Sequence, residues 1–432
     1  MADTTPTRPR RRGRAIGTTA VLAALLLLVA ASCGSDEDGS SSDGGSDGTS
    51  VDTESVLGEP NPASGEPVTV GFVYDGRTPS IDNTMHLPAA EATVEYINEY
   101  QNGIAGRPLG LVSCASEGDP GKATECGNEM VQEGVVMTIM PENQQPTAVH
   151  TVMAANDIPL FVYGVTDPAI TEDAESSFMI ASLTAGLSAL PIDVAEEEGI
   201  DKVTVMVVDV PAATDFYDDG AFGAQQFADA DIELETIRVP LGTVPDNQIN
   251  EVVTGDETVL HIVGDPGLCI AAINGLKTNG FDGPITVLNG CSSEDINAAV
   301  GENMDGVIMA SPTPLGDESN SGIQLFQAIL AEYDPGFGDY TEGLTTFMTV
   351  YSAWQSLDGI GEEITSDTIR TTVHGMEQED LVTGAGLGFR CNGKAAPQTP
   401  AVCTRGALRV TLDGEGKPIL PYEPFGTSPI PD

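Results

Sequence analysis

Short apolar runs alternate with segments of helical apolar spacing along most of this chain. The first run, Val68–Tyr74, predicts a buried strand, and the segment after it places Ala90, Val94 and Ile97 on one helix face. Further strands are predicted at 109–113, 135–140 and 158–163 and then, after a break near 182–186, at 203–208, 235–239, 259–263, 285–288 and 307–310. Strands that alternate with helices indicate an α/β fold with parallel sheets, and the two runs indicate two similar lobes.

The first 32 residues have the pattern of a secretory signal. Arginines crowd residues 8–14, a mostly apolar stretch follows, and small residues precede Cys33. The most apolar part covers residues 21–31, which is short for a membrane span of about 20 residues. Residues 30–33 resemble a bacterial lipobox, although alanine stands at 30 where leucine is usual. We therefore predict a signal peptide at 1–32 and a lipid on Cys33; an ordinary signal peptide with a spare cysteine is the alternative.

Residues 33–66 are rich in Gly, Ser, Asp and Pro, so they bury little apolar area. We expect a disordered acidic tether there. The aspartates of its first part lack the spacing of a calcium-binding loop.

The charge of the chain is strongly negative. It has 17 basic and 66 acidic residues among 432, a formal net charge of −49. Removal of residues 1–32 leaves 12 basic and 65 acidic residues, or −53. Such a surface repels phosphate backbones, which argues against nucleic-acid binding. Two interpretations of the acidity compete, attraction of a cationic ligand and adaptation of a secreted protein to salt, and the spread of the acids along the whole chain favours the second.

Seven cysteines are present, and six remain when Cys33 is set aside. Six cysteines allow 15 pairings. We predict nearest-neighbour disulfides, because each couple joins adjacent elements of an exported protein: Cys114–Cys126, Cys269–Cys291 and Cys391–Cys403. The chain has no CxxC, and none of its four histidines adjoins a cysteine, so no metal site is predicted.

The sequence offers no catalytic motif in a structural setting that would support it. It contains no H-E-x-x-H, and its G-x-S-x-G match at 44–48 lies in the Gly/Ser/Asp-rich segment and not between a strand and a helix. The glycines of GAGLG at 384–388 do not open a helix after a strand, so they are turn glycines and not a dinucleotide fingerprint. No catalytic residue and no cofactor is predicted.

Five segments carry a resemblance to a known family: VTVGFVYDGRTPS, AAEATVEYINEYQNGIAGRPLGLV, DPGKATECGNEMV, NDIPLFVYGVTDPAIT and TVYSAWQSLDGI. In this order they resemble the type I periplasmic binding proteins, specifically the leucine/isoleucine/valine-binding group that serves ABC importers. The resemblance covers about residues 67–425, and the six cysteines sit as in lipid-anchored actinobacterial members.

This resemblance implies a Venus-flytrap of two Rossmann-like lobes with a hinge that the chain crosses three times. Lobe 1 is expected at 67–182 plus 311–375, lobe 2 at 183–310 plus 376–425, and a short tail at 426–432. A small molecule then binds between the lobes, at the carboxyl ends of the strands.

In lobe 1 the expected ligand contacts are Tyr74, Asn143, Gln144 and Thr166. Thr166 matches the ligand threonine of the family, but a turn threonine is the equal alternative. The segment Pro141–Gln145 leads into a helix, so its free N–H groups suit a ligand carboxylate or another acceptor.

In lobe 2 the expected contacts are Phe216, Tyr217, Asp265 and Ser292. Branched-chain amino-acid binders place a glutamate where this chain has residues 290–292, so the usual ammonium partner is missing. Asp265, Asp215 and Glu294 are candidates for the missing negative charge, although none of them is at the expected position. Amides, urea-like compounds, aromatic acids and polyamines therefore stay open as ligands.

The resemblance implies a monomeric substrate-binding protein of an ABC importer, lipid-anchored at the outer face of the membrane, that delivers a small polar solute to a permease by cleft closure. The alternative is a sensor that passes closure to a separate signalling partner. Enzymatic activity is not expected.

Overall fold

The computed structural model describes residues 53–78 and 81–432. The predicted signal peptide, Cys33 and the predicted tether up to residue 52 lie outside these residues. In the described part of the chain, no helix is both long and apolar enough to span a membrane.

Strands are numbered in chain order. They are β1 (Val68–Tyr74), β2 (Gly76–Arg77), β3 (Asp82–Asn83), β4 (Leu109–Ala115), β5 (Thr138–Met140), β6 (Leu160–Val162), β7 (Ser177–Met179), β8 (Lys202–Val208), β9 (Glu233–Val239), β10 (Val259–Val263), β11 (Ile285–Leu288), β12 (Ile308–Ser311), β13 (Glu379–Asp380), β14 (Gly388–Phe389), β15 (Ala407–Leu412) and β16 (Pro418–Phe425).

Helices are numbered in the same way. They are α1 (Thr53–Leu57), α2 (His86–Tyr100), α3 (Pro120–Glu133), α4 (Pro146–Ala155), α5 (Pro168–Thr171), α6 (Ala185–Glu198), α7 (Pro211–Thr214), α8 (Phe222–Asp229), α9 (Asp246–Thr254), α10 (Pro266–Thr278), α11 (Glu294–Val300), α12 (Ser321–Tyr333), α13 (Leu344–Gln355) and α14 (Ser366–Gly375).

Local sequence sets many of these boundaries, and α3 shows how. The Asp119 side chain accepts a hydrogen bond from the backbone N–H of Lys122, and Pro120 fills the first turn, where its missing N–H costs nothing. Gly134 ends the helix at φ 68°, a left-handed conformation that glycine adopts without strain.

A five-stranded parallel sheet, in the order β4-β1-β5-β6-β7, forms lobe 1 together with the helices packed on it. Successive residues of β1 serve opposite faces, as in any strand. Phe72 joins the core under α2, α12 and α13, and Val73 joins the core under α3 and α4. Phe326 of α12 stacks on Phe347 of α13 with ring centroids 4.7 Å apart, which ties these two helices together.

Lobe 2 is built on a seven-stranded sheet in the order β16-β15-β12-β11-β10-β8-β9. The strands from β12 to β9 are parallel, and β15 and β16 add an antiparallel hairpin at one edge. The edge strand β16 contains Pro418, Pro421 and Pro424, and its Ile419 and Leu420 side chains are 53% and 43% exposed.

The third crossing between the lobes lies later than the sequence predicted. We expected residues 376–425 in lobe 2, but residues 376–403 pack on lobe 1. Leu387 and Phe389 belong to the lobe 1 core, and Val402 pairs in parallel with Met179 at the end of β7. The chain enters lobe 2 only at residues 404–407, where β15 begins.

The predicted tether at 33–66 is also wrong for its last part. Leu57 of α1 is buried against lobe 1. The backbone N–H groups of Asn61 and Ala63 donate to carbonyls of Glu99 and Asn98 at the end of α2, each at 2.8 Å. Residues 53–66 are therefore part of the folded lobe, because these bonds and the burial of Leu57 hold them there.

Three disulfides join nearest neighbours in the structure: Cys114–Cys126, Cys269–Cys291 and Cys391–Cys403. The first links β4 to α3, and the second links α10 to the turn after β11. The third lies in the segment that precedes the third crossing. Each lobe is thus cross-linked within itself.

We expect His261 to make the protein acid-sensitive. Its ring is fully buried in β10 with Nδ1 2.9 Å from the Thr286 hydroxyl, and burial lowers the pKa of His261 to about 3. The unfolded chain binds this proton below its ordinary pKa of about 6.5, so the contribution to stability is present above pH 6.5 and is lost as pH falls. Acidification from pH 7 to 5 should cost up to about 2 kcal/mol at this site.

Urea unfolding at pH 7 and pH 5 measures this loss. The variant H261Q should lose less stability between the two pH values than the unmodified protein. An equal loss in both proteins would contradict the assignment.

Candidate functional site

A cavity of about 570 Å³ lies between the two lobes, within the size range of small-molecule sites. Strand ends of both sheets form its walls. Glu142 follows β5 and Tyr163 follows β6 in lobe 1, while Leu288 ends β11 and Ser311 ends β12 in lobe 2. Parallel strands bring the loops after their carboxyl ends to one edge of a sheet, so both sheets present such loops to the same cleft.

Glu142 is the central polar group of the lobe 1 wall. Its side chain is 45% exposed, and one carboxylate oxygen lies 3.7 Å from Nε2 of His86. The same oxygen accepts a hydrogen bond from the Thr345 hydroxyl at the start of α13. Burial raises the pKa of Glu142, and the Thr345 hydrogen bond opposes this rise.

His86 and Tyr163 flank this carboxylate. His86 is 4% exposed, and burial lowers its pKa to about 4, so the imidazole is neutral at pH 7. Burial raises the pKa of Tyr163 well above 10, and the charge of Glu142 adds to the rise. The phenol therefore stays protonated. At neutral pH neither neighbour carries a positive charge.

Lobe 2 supplies a less charged wall. Asn289 is exposed to the cleft just after β11, and Ala310 and Ser311 come from the end of β12. The Ser311 hydroxyl donates to the backbone carbonyl of Thr313 at 2.7 Å. This hydrogen bond lies where the chain crosses from lobe 2 to lobe 1 for the second time, after β12, and it already uses the hydroxyl proton. Asn289 is thus a polar side chain that this wall offers to a ligand.

Family comparison agrees with this architecture, since the family model described as periplasmic binding protein matches residues 67–404. The chain belongs to the periplasmic binding protein family. A search of curated proteins finds no match.

Solved structures similar to this periplasmic binding protein share its fold at low identity. A putative branched-chain amino acid ABC transporter protein from Rhodospirillum rubrum is 16% identical, with a TM-score of 0.67, over 82% of this chain and 100% of its own. A putative branched-chain amino acid ABC transporter protein from Silicibacter pomeroyi is 15% identical, with a TM-score of 0.58, over 84% and 98%. The substrate-binding protein LivJ from Streptococcus pneumoniae, solved with isoleucine, is 17% identical, with a TM-score of 0.55, over 83% and 99%. These matches confirm the type I periplasmic binding protein fold that the sequence predicted.

The four lobe 1 contacts predicted for this binding protein do not line the cavity. Asn143 and Gln144 instead brace a buried carboxylate: Asp75 accepts the Gln144 backbone N–H at 2.9 Å and the Ser116 hydroxyl at 2.8 Å. The Asn143 amide donates to that hydroxyl at 3.3 Å.

The other two lobe 1 predictions, Tyr74 and Thr166, are not part of the cavity wall either. Tyr74 stacks on Phe72 with ring centroids 5.6 Å apart, and Thr166 is exposed.

The lobe 2 predictions also have structural partners and do not line the cavity. The buried Tyr217 donates its hydroxyl to the Leu187 carbonyl at 2.9 Å, and Phe216 packs edge-on against Tyr217. Asp265 caps α10 by accepting the Leu268 N–H at 3.0 Å.

Ser292, the last lobe 2 prediction, lies 3.4 Å from the Asn297 side chain and 3.5 Å from the Gly416 carbonyl. None of the acids proposed as a substitute charge, Asp265, Asp215 and Glu294, reaches the cleft wall.

Sequence reasoning missed Glu142 and His86. A signal for Glu142 was present, because it is the carboxylate in the segment that follows the third predicted strand. His86 had no comparable signal, since it opens a helix in a sequence that has no histidine motif. In the described residues, no three His, Cys, Asp or Glu side chains are grouped as a metal site would require.

Proposed function

We propose that this protein is the extracytoplasmic substrate-binding component of an ABC importer and delivers a small solute to a permease. The cavity between the lobes carries this proposal, because its strand-end walls meet across a hinge that the chain crosses three times. A ligand that contacts both walls favours the closed arrangement of the lobes, and a permease can distinguish closed from open.

The chemistry of the cleft supports binding without catalysis. His86 faces the Glu142 carboxylate and not a hydroxyl, and the Ser311 hydroxyl is bound to a backbone carbonyl. A nucleophile needs a base within hydrogen-bond reach, and these two candidates do not meet that condition.

The similar structures guide the first ligands to test. The Streptococcus pneumoniae protein was solved with isoleucine. For this chain we propose a small nitrogen-containing solute, with amino acids, amides and polyamines as the first panel.

Thermal-shift screening followed by calorimetry tests the proposal. At least one ligand of the panel should stabilise the protein, because binding to the folded state alone raises its stability. Asn289→Ala in the lobe 2 wall should weaken that ligand about threefold to tenfold, as expected for one lost hydrogen bond. Asn250→Ala on the exposed part of α9 is the matched control and should change nothing. If no solute of the panel shifts the melting temperature, the proposed function is contradicted.

We also propose the lipid anchor at Cys33, which the signal pattern and the odd number of cysteines support. Mass spectrometry of the membrane-extracted protein should find acyl chains on Cys33, and Cys33→Ser should release the protein. An unmodified cysteine would contradict the anchor.

A further inference from the structure

The charged side chains that line the cavity are all acidic. They are Asp82, Glu142 and Glu342, and its lining residues include no Lys or Arg. Asp82 already has a partner, since the Arg77 guanidinium lies 2.6 Å from its carboxylate. Glu342 is exposed, two residues before α13 begins. Glu142 is thus the cleft carboxylate that lacks a cation and is partly withdrawn from water.

The neighbours of Glu142 stabilise it but do not neutralise it. Thr345 donates one hydrogen bond, and the neutral His86 adds no charge. A carboxylate in such surroundings is stabilised most by a cation that arrives with the ligand. The low dielectric of the protein strengthens the attraction between the two opposite charges.

His86 provides a second and independent indication. The side chain is 4% exposed and lines the cavity. Among the described residues its buried Nδ1 has no hydrogen-bond partner, and its Nε2 lies 3.7 Å from the Glu142 oxygen, beyond hydrogen-bond distance. Buried polar groups are normally paired, so an imidazole without a hydrogen bond at the cleft wall indicates a ligand. A nitrogen about 2.9 Å from both His86 Nε2 and the Glu142 oxygen can bridge their 3.7 Å gap.

Two helices point their N-terminal ends toward this part of the cleft. Helix α2 begins at His86 and α13 begins one residue before Thr345, and Glu142 contacts both residues. Helix N-termini stabilise negative charge. The chain therefore places its own carboxylate where we had expected a ligand carboxylate, near Pro141–Gln145, and a second negative group is disfavoured there.

The rest of the cavity offers apolar surface. Of the seven large apolar side chains that the described residues leave exposed, three line this cavity: Ile81, Leu183 and Leu315, at 46%, 36% and 40% exposure. A ligand with an apolar part would cover them. Concentration of exposed apolar groups in one cleft is typical of a binding site.

We propose that the cleft binds an organic ammonium ion that needs no carboxylate, with its charged nitrogen on Glu142 and His86 and its apolar part on Ile81, Leu183 and Leu315. This inference rests on the proposed function and names its ligand class.

Two matched series of compounds test the inference by calorimetry on the full folded protein. One consists of 3-methylbutylamine, leucine and 4-methylpentanoate, and the other of 2-phenylethylamine, phenylalanine and 3-phenylpropanoate. Each series keeps the apolar part and changes only the charged groups. At least one amine should bind, about tenfold or more tighter than its amino acid, and the acids should not bind.

Glu142→Gln separates the charge from the shape of the side chain. It should weaken the amine at least about tenfold, because a hydrogen bond to a charged group is lost. Glu133→Gln, on the exposed surface of α3, removes the same charge outside the cavity and should leave affinity unchanged. If Glu142→Gln does not fold, the two series on the unmodified protein decide alone.

Tighter binding of leucine or phenylalanine than of the amines would overturn the inference and leave the proposed function intact. Binding of an amide in the wider panel, with no effect of Glu142→Gln, would do the same. Failure of every amine to bind would also overturn the inference. The proposed function itself would be contradicted only if no compound of the whole panel bound to the protein.

Discussion

Replacement of Gly406 with alanine is expected to lower the free energy of unfolding by more than about 3 kcal/mol. Gly406 lies at the third crossing, and an added Cβ would be 1.7 Å from the Phe425 carbonyl oxygen and 2.7 Å from its carbon. Both are backbone atoms, so no side-chain rotation relieves the overlap. The ends of β15 and β16 must separate instead.

Gly414→Ala is the matched control on the same hairpin. Its nearest contact for an added Cβ is the Cα of Glu302 at 3.6 Å, an ordinary van der Waals distance. We expect its stability to stay within about 0.5 kcal/mol of the unmodified protein. Urea unfolding followed by circular dichroism measures both variants. A Gly406→Ala protein as stable as the Gly414→Ala protein would show that the crossing is not closely packed.

Removal of the Cys269–Cys291 disulfide should cost about 3 kcal/mol, because the bond restricts the unfolded chain over a separation of 22 residues. Both cysteines are buried in the lobe 2 core. The bond also holds the turn after β11, and Asn289 of this turn lines the cavity. The variant Cys269→Ala/Cys291→Ala should therefore be less stable and bind its ligand more weakly.

Unfolding in urea and calorimetry with the best ligand of the screen measure these two losses. Cys269→Ala alone should lose nearly as much stability as the double variant, since either change removes the cross-link. A double variant within about 0.5 kcal/mol of the unmodified protein would argue that lobe 2 does not depend on this bond.

The strands were predictable because buried apolar runs have a local signature. The run at 109–113 became β4 (Leu109–Ala115), and the run at 259–263 became β10 at the same bounds. The lobe to which residues 376–403 belong was not predictable in this way. Leu387 and Phe389 show that the segment is buried, but apolar side chains suit either core, and only the distant pairing of Val402 with Met179 decides.

The position of the cleft could be predicted from the sequence, but the residues that line its walls could not. The rule that ligands bind beyond strand ends located the segments around residues 141–145 and 289–294. Which side chain of a segment enters the cleft depends on local hydrogen bonds. Asp265 precedes a proline at a helix start, a pattern typical of an N-cap, and it has that role. Glu142, not its neighbours Asn143 and Gln144, enters the cleft, because those two are held by the buried Asp75 and its partner hydroxyl.

The edge strand β16 has a consequence for how neighbouring copies meet. An exposed edge with apolar Ile419 and Leu420 would ordinarily recruit a strand from another molecule. Pro418, Pro421 and Pro424 remove the N–H groups that such recruitment needs. The opposite edge, β9, carries exposed Glu233 and Glu235 beside Lys202, and charged side chains on an edge strand oppose pairing with another sheet. Crowded molecules can therefore touch without merging their sheets into aggregates.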